Sequence, residues 1–194
     1  MHNFIPPQNL QNWQQRDLAV LWHPCTQMSE HPDKLPLIPI KSAHGVWLED
    51  IHGKRYLDAI SSWWTNLFGH SEPRIANAIS KQAHTLEHVL FAGFSHQPGL
   101  ELAEKLIALS PAGLSRVFYA DNGSAAVEIA LKMSFQYFAN QGMHKKNRFM
   151  ALHNSYHGET LGALSMADIP LYRDIYSPLL LKPLFAPSPD SFTK

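Results

Sequence analysis

Hydrophobic positions in the middle of the chain follow two periods. Val46-Trp47-Leu48-Glu49-Asp50 and Tyr56-Leu57-Asp58-Ala59 flank a short polar stretch, and this pattern predicts two strands joined by a loop in which Gly53 supplies a positive φ. Pro73 suits the first turn of a helix, and Ile75, Ile79, Ala83, Leu86 and Leu90 then recur at helical spacing along one face. A second helix carries Leu102, Leu106 and Leu109 until Pro111 and Gly113 stop it. Residues 116–120 read as a strand. A helix follows with its stripe at Ala126, Ala130, Met133 and Tyr137, ending near Gly142, and residues 149–152 read as a further buried strand. Strand, helix, strand in that order predicts a right-handed crossover and a parallel sheet, so the expected fold class is α/β. Prolines crowd the stretches from Pro24 to Pro39 and from Pro178 to Pro189 and leave the regular pattern between them. No internal repeat or low-complexity segment interrupts it.

Composition narrows the partners. Sixteen Lys and Arg balance sixteen Asp and Glu without a long run of either sign, which argues against nucleic acid or an anionic membrane surface. No apolar stretch approaches the ~20 residues that span a bilayer, and the start Met1-His2-Asn3-Phe4-Ile5-Pro6 lacks a charged and then apolar leader. Cys25 is the single cysteine, so neither an internal disulfide nor a cysteine metal cage can form, and a reducing, cytoplasmic setting is expected. The histidines form no H-E-x-x-H motif and Cys25 has no cysteine partner, so no metal site is expected.

Two junctions carry the candidate chemistry. Asp121-Asn122-Gly123-Ser124 falls between the expected strand 116–120 and its helix, where open α/β sheets bind ligands. Gly123 admits an anion close to the backbone, Ser124 offers a hydroxyl, and the helix start adds a half-positive pole suited to phosphate. The same residues also serve as an ordinary helix cap. The stretch is neither a Walker loop nor a dinucleotide fingerprint. The second junction, Asn154-Ser155-Tyr156-His157-Gly158-Glu159-Thr160, follows the strand 149–152 and brings an aromatic ring, Tyr156, able to lie flat on a planar heterocycle. His157 is a base or a structural hydrogen-bonder and is given no catalytic role.

Taken in order, Leu21-Trp22-His23-Pro24, the hairpin with Asp50, Gly53 and Asp58, Ser61-Ser62-Trp63-Trp64, Gly69-His70, Asp121 to Glu128 and Tyr156 to Thr160 resemble the class III pyridoxal-phosphate aminotransferases. The resemblance runs from about residue 18 to the end. Ser61-Ser62-Trp63-Trp64, Trp22-His23-Pro24 and Ala125 after Ser124 resemble the biotin-pathway branch of that class. It implies the amino-terminal part of the fold-type I architecture, with residues 1–70 in the small-domain segment and 71–194 beginning the cofactor domain. It also implies pyridoxal 5'-phosphate as cofactor, a homodimer in which the stretch from Phe91 to Pro98 approaches the partner, and small-molecule substrates. In that branch an amino group passes from S-adenosylmethionine to 8-amino-7-oxononanoate. Another ω-aminotransferase, acting on 4-aminobutyrate, ornithine or β-alanine, is the alternative, as is a non-catalytic remnant.

Carried over residue by residue, the resemblance makes Gly123 and Ser124 the phosphate holders, Tyr156 the ring that stacks on the cofactor and also lines the substrate site, and Trp63 a wall for a long aliphatic substrate. Trp63 and Trp64 read without the surrounding motifs are also candidate core aromatics. The family segment His-Pro-Tyr-Thr stands here as His23-Pro24-Cys25-Thr26, so Cys25 takes a substrate-binding position with a smaller, weakly hydrogen-bonding thiol. The resemblance puts the lysine that bonds the cofactor, an aspartate facing the ring nitrogen and a carboxylate-binding arginine downstream of Lys194. No catalytic residue is therefore expected here, and Lys132, Lys145 and Lys146 read as solvated surface charge. The 194 residues alone, ending shortly after Pro187-Ser188-Pro189-Asp190, are expected to be truncated and inactive as an aminotransferase.

Overall fold

The computed structural model describes residues 13–189, and its backbone forms two compact units that divide between Ser95 and His96. The start Met1 to Pro6 and the tail from Asp190 lie outside the described residues.

In the first unit a short helix α1 (Trp13–Val20) precedes a three-stranded antiparallel sheet of β1 (Ile40–His44), β2 (Trp47–Asp50) and β3 (Arg55–Leu57). The expected hairpin is β2–β3, with Leu48 opposite Tyr56. Asp50 closes it: Oδ1 accepts the N–H groups of His52 and Lys54, each at 2.9 Å, and Oδ2 accepts the Tyr56 hydroxyl at 2.9 Å. Burial pushes the Asp50 carboxyl up, but these donors outweigh it and hold the group below the ordinary carboxylate range. A single helical turn α2 (Ser61–Trp64) and the helix α3 (Pro73–Thr85) complete the unit. The stripe expected to reach Leu90 stops short, because α3 ends at Leu86, whose N–H and carbonyl bond the Gln82 carbonyl and side-chain amide.

The second unit holds α4 (Gln97–Leu109), α5 (Gly123–Asn140), β4 (Met150–Leu152), α6 (Leu161–Met166), α7 (Pro170–Arg173) and β5 (Leu184–Ala186). The expected strand at 116–120 is corrected: this run forms no strand, and Phe118 is exposed. An apolar run favours extended backbone, but a strand requires a partner for its N–H and C=O groups. The parallel pair is instead β4 with β5, Ala151 opposite Phe185, and the connection between them carries α6 and α7. Leu164, Ala167 and Leu180 bury together beneath that connection, with Ala163 and Met166 beside them. Among the described residues no helix is long and apolar enough to cross a membrane, and no group of three or more His, Cys, Asp or Glu side chains converges as metal ligands do.

Candidate functional site

The first turn of α5 is organised by Asn122. Its side-chain oxygen accepts the Ala125 N–H at 2.9 Å and its carbonyl accepts the Ala126 N–H at 3.0 Å. Those bonds satisfy the third and fourth donors of the helix start and leave the N–H groups of Gly123 and Ser124, which have no carbonyl within the helix to bond, as the donors for an incoming anion. A Cβ built on Gly123 meets nothing within 4 Å, so there is room beside Gly123. The cradle therefore fits a phosphate in donor chemistry and in room.

Gly158 ties the two predicted junctions together. It is buried, and its φ of +110° lies where side chains are rarely found; a Cβ there would fall 2.9 Å from Ser124 Cβ and 3.2 Å from Ser124 Cα. Only a glycine lets the loop after β4 lie against the start of α5. Tyr156 lies two residues upstream on the same loop. Its ring is half exposed, its hydroxyl donates to Glu159 Oε1 at 3.1 Å, and Tyr172 lies 5.9 Å away at a tilt of 60°.

Both ends of that loop are fastened by carboxylates. At its start, Asp168 Oδ2 accepts the His153 ring N–H at 2.8 Å and the Asn154 N–H at 3.2 Å, while the Ser155 hydroxyl donates to the Leu152 carbonyl at 2.6 Å. The His153 bond, more than any other contact, holds the Asp168 carboxyl below its usual range. At its end, Glu128 Oε1, on the second turn of α5, accepts the Thr160 hydroxyl at 2.7 Å, the Gly162 N–H at 2.7 Å and the Ala163 N–H at 3.3 Å. Thr160 is the largest influence lowering the Glu128 carboxyl; partial burial opposes it, and the two amides then add to the lowering. The sequence reading missed Glu128, and it had no signal for it beyond a carboxylate on the helix that begins at Gly123.

In the first unit, Trp63 sits on α2, whose backbone is left-handed. Ser61, Ser62, Trp63 and Trp64 have φ of 50°, 46°, 70° and 65°. The Trp64 N–H reaches the Ile60 carbonyl at 2.8 Å and the Thr65 N–H reaches the Ser61 carbonyl at 3.0 Å. Each L residue so held costs roughly 1–2 kcal/mol. Such strain collects at functional positions. The indoles stand out from the surface, Trp63 at 58% and Trp64 at 76% exposed, so neither is the core aromatic of the alternative reading. Asp58 lies beneath the turn; its carboxyl is held down to about 2, first by the Ser62 N–H and then by the His70 ring and the Ser62 hydroxyl. A cleft of about 440 Å³ opens beside α3, lined by Leu67, Phe68, Ile75 and Ile79, and Trp63 is not in its wall. Cys25, also in this unit, occupies an exposed turn with φ 57° beside His23, which bonds Asp17 at 2.5 Å. Lys132, Lys145 and Lys146 are exposed, and Lys146 lies over the Phe138 ring.

Residues 28–194 match the family described as Aminotransferase class-III. The adenosylmethionine-8-amino-7-oxononanoate aminotransferase of Helicobacter pylori is 52% identical over 174 residues, 89% of this chain and 39% of that protein. The enzyme of the same name from Aquifex aeolicus is 42% identical over 190 residues, 98% of this chain and 41% of its own. Among solved structures, the adenosylmethionine-8-amino-7-oxononanoate aminotransferase of Methanocaldococcus jannaschii superposes with a TM-score of 0.87 at 38% identity, covering 95% of this chain and 42% of that one. An omega transaminase from Pseudomonas jessenii in complex with PMP gives 0.83 at 30% identity, covering 93% and 40%. The chain thus spans about 40% of the length of these curated relatives. With residues 28–194 matched to that family and relatives up to 52% identical, the chain belongs to the class-III aminotransferases.

Proposed function

We propose that the protein transfers an amino group from S-adenosylmethionine to 8-amino-7-oxononanoate, giving 7,8-diaminononanoate, and that this chain supplies the cofactor's phosphate cradle and part of the substrate wall. The approach of Gly158 to Ser124 carries the cofactor part of the reading, because it joins the two predicted junctions into one site. The names and identities of the Helicobacter and Aquifex relatives support the choice of substrates.

When bound, pyridoxal phosphate supplies the electron sink for moving the amino group. The N–H groups of Gly123 and Ser124 and the Ser124 hydroxyl would hold the phosphate dianion, and Asn122 caps the helix start that presents them. The Tyr156 ring would stack on the heterocycle and exclude water from that face. Trp63 offers apolar area to the aliphatic chain of the acceptor at small entropic cost, and Cys25 leaves room beside it. We assign residues 1–70 to the small-domain segment and 71–194 to the cofactor domain of a cytoplasmic homodimer, with the stretch from Phe91 to Pro98 facing the second copy.

Fluorescence titration with pyridoxal phosphate tests the cradle. Gly123→Asp should lose affinity at least about a hundredfold, because the carboxylate both fills the open space and repels the dianion. Gly123→Ala should lose far less. Equal affinity in Gly123→Asp and the unsubstituted protein refutes the cradle, and a preference for 4-aminobutyrate or ornithine over S-adenosylmethionine as donor moves the assignment to another ω-aminotransferase.

A further inference from the structure

We propose that Asp58 is a positioning residue whose carboxylate holds the left-handed turn Ser61–Trp64, and through it the indole of Trp63, in the orientation the acceptor substrate meets. This inference rests on the reading of Trp63 as a substrate wall. Four consecutive L residues at φ between 46° and 70° do not persist through local preference, and none of the four is glycine or asparagine. Something outside the turn has to fix it. The Asp58 carbonyl accepts the Ser61 N–H at 3.2 Å, and Asp58 Oδ2 accepts the Ser62 hydroxyl at 2.7 Å and the His70 ring N–H at 2.8 Å.

The far side of this hub is tied to the sheet. His70 exchanges both backbone hydrogen bonds with Gly45, at 3.0 and 2.8 Å, and the Ser71 hydroxyl donates to the Ala43 carbonyl at 2.8 Å. Gly69 lies so close to Gly45 that a Cβ would stand 3.0 Å from the Gly45 Cα. The β1–β2 end of the sheet is therefore the reference against which Asp58 holds the turn. The carboxylate is 6% exposed and the His70 ring 14%, so water competes little for either bond. The indoles are open to solvent, and their direction comes from the backbone that carries them rather than from packing.

The test incorporates 5-fluorotryptophan into the cofactor-loaded protein, assigns the Trp63 and Trp64 fluorine resonances by single Trp→Phe replacements, and compares Asp58→Ala, Asp58→Asn and Ser62→Ala. Asp58→Ala should shift or broaden both resonances while that of Trp47 stays in place. It should also raise KM for 8-amino-7-oxononanoate about tenfold, with KM for S-adenosylmethionine within about twofold. Asp58→Asn, which keeps an acceptor oxygen, should recover part of both effects. If Asp58→Ala does not fold, Ser62→Ala removes one hydroxyl from the hub and should move the Trp63 resonance on its own. Unmoved resonances overturn the proposal whatever the kinetics. Moved resonances with an unchanged acceptor KM also overturn it when Trp63→Ala does raise that KM. When Trp63→Ala leaves KM unchanged as well, the reading of Trp63 as a wall falls and the hold of Asp58 on the turn stands.

Discussion

Replacing Glu128 by Ala removes a side chain that fastens α5 to the start of α6 through three donors at once. Two of those bonds, from the Thr160 hydroxyl and the Gly162 N–H, are short at 2.7 Å; the third, from Ala163 N–H at 3.3 Å, is long enough to count for little. A bond to an ionised acceptor contributes about 1.5–3 kcal/mol, and partial exposure of the carboxylate reduces that, so the pair contributes roughly 2–4 kcal/mol. Locally, the opening of residues 160–163 should become about 30- to 1000-fold more populated. Amide hydrogen exchange at Gly162 and Ala163 reads this directly, as a drop in protection of that size. Glu128→Gln keeps an acceptor in place and should lose only about tenfold. The folded carboxyl lies below its unfolded value, so its contribution is complete above about pH 4.5 and is lost as pH falls through the folded pKa. Protection corrected for intrinsic exchange should therefore be level at neutral pH and fall in acid in the unsubstituted protein, and stay level in Glu128→Gln. Wild-type protection of Gly162 in Glu128→Ala would refute the clamp.

Three further outcomes follow from the site. Gly158→Ala places a methyl against Ser124 in a left-handed backbone position and should lower stability by roughly 1–2 kcal/mol or more, together with pyridoxal phosphate affinity; thermal melts with and without cofactor separate the two effects. Ser124→Ala removes one hydroxyl donor to a charged phosphate and should weaken cofactor binding by ~1–3 kcal/mol in the same titration used for Gly123→Asp. Tyr156→Leu should alter the absorbance of the bound cofactor as well as the rate, whereas Trp63→Ala should raise KM for the acceptor and leave that absorbance unchanged.

What the sequence made legible was whatever depends on neighbours along the chain. Pro73 marked the start of α3, the stripe from Ala126 to Tyr137 marked α5, and Gly53 between two alternating runs marked the β2–β3 hairpin. Partners far apart in sequence were not legible. β1 is rich in polar residues, Lys41 and Ser42 among them, and is a strand only because β2 offers a ladder. β5 is three residues long and pairs with β4, so the strand expected at 116–120 had no local feature to separate it from unpaired extended chain. At the site, Gly123, Ser124 and Tyr156 were readable from their types at two junctions, while the contact of Gly158 with Ser124 and the reach of Glu128 to Thr160 depend on how α5 and α6 dock. The left-handed turn was the least visible feature, because Ser61-Ser62-Trp63-Trp64 contains no residue that prefers positive φ.

The closure of Gly158 over Ser124 sets an order of events during synthesis. A nascent chain that has released α5 but not yet the segment through Thr160 and Gly162 has the helix start and its free amides but lacks the loop that lies against them. On the proposed reading of the cradle, phosphate affinity rises when α6 docks, and cofactor bound after that point favours the docked form by mass action. If Gly123 and Ser124 hold the phosphate as proposed, stalled ribosomal complexes of graded length should gain weak affinity for pyridoxal phosphate after Gly162 clears the exit tunnel and not when α5 does.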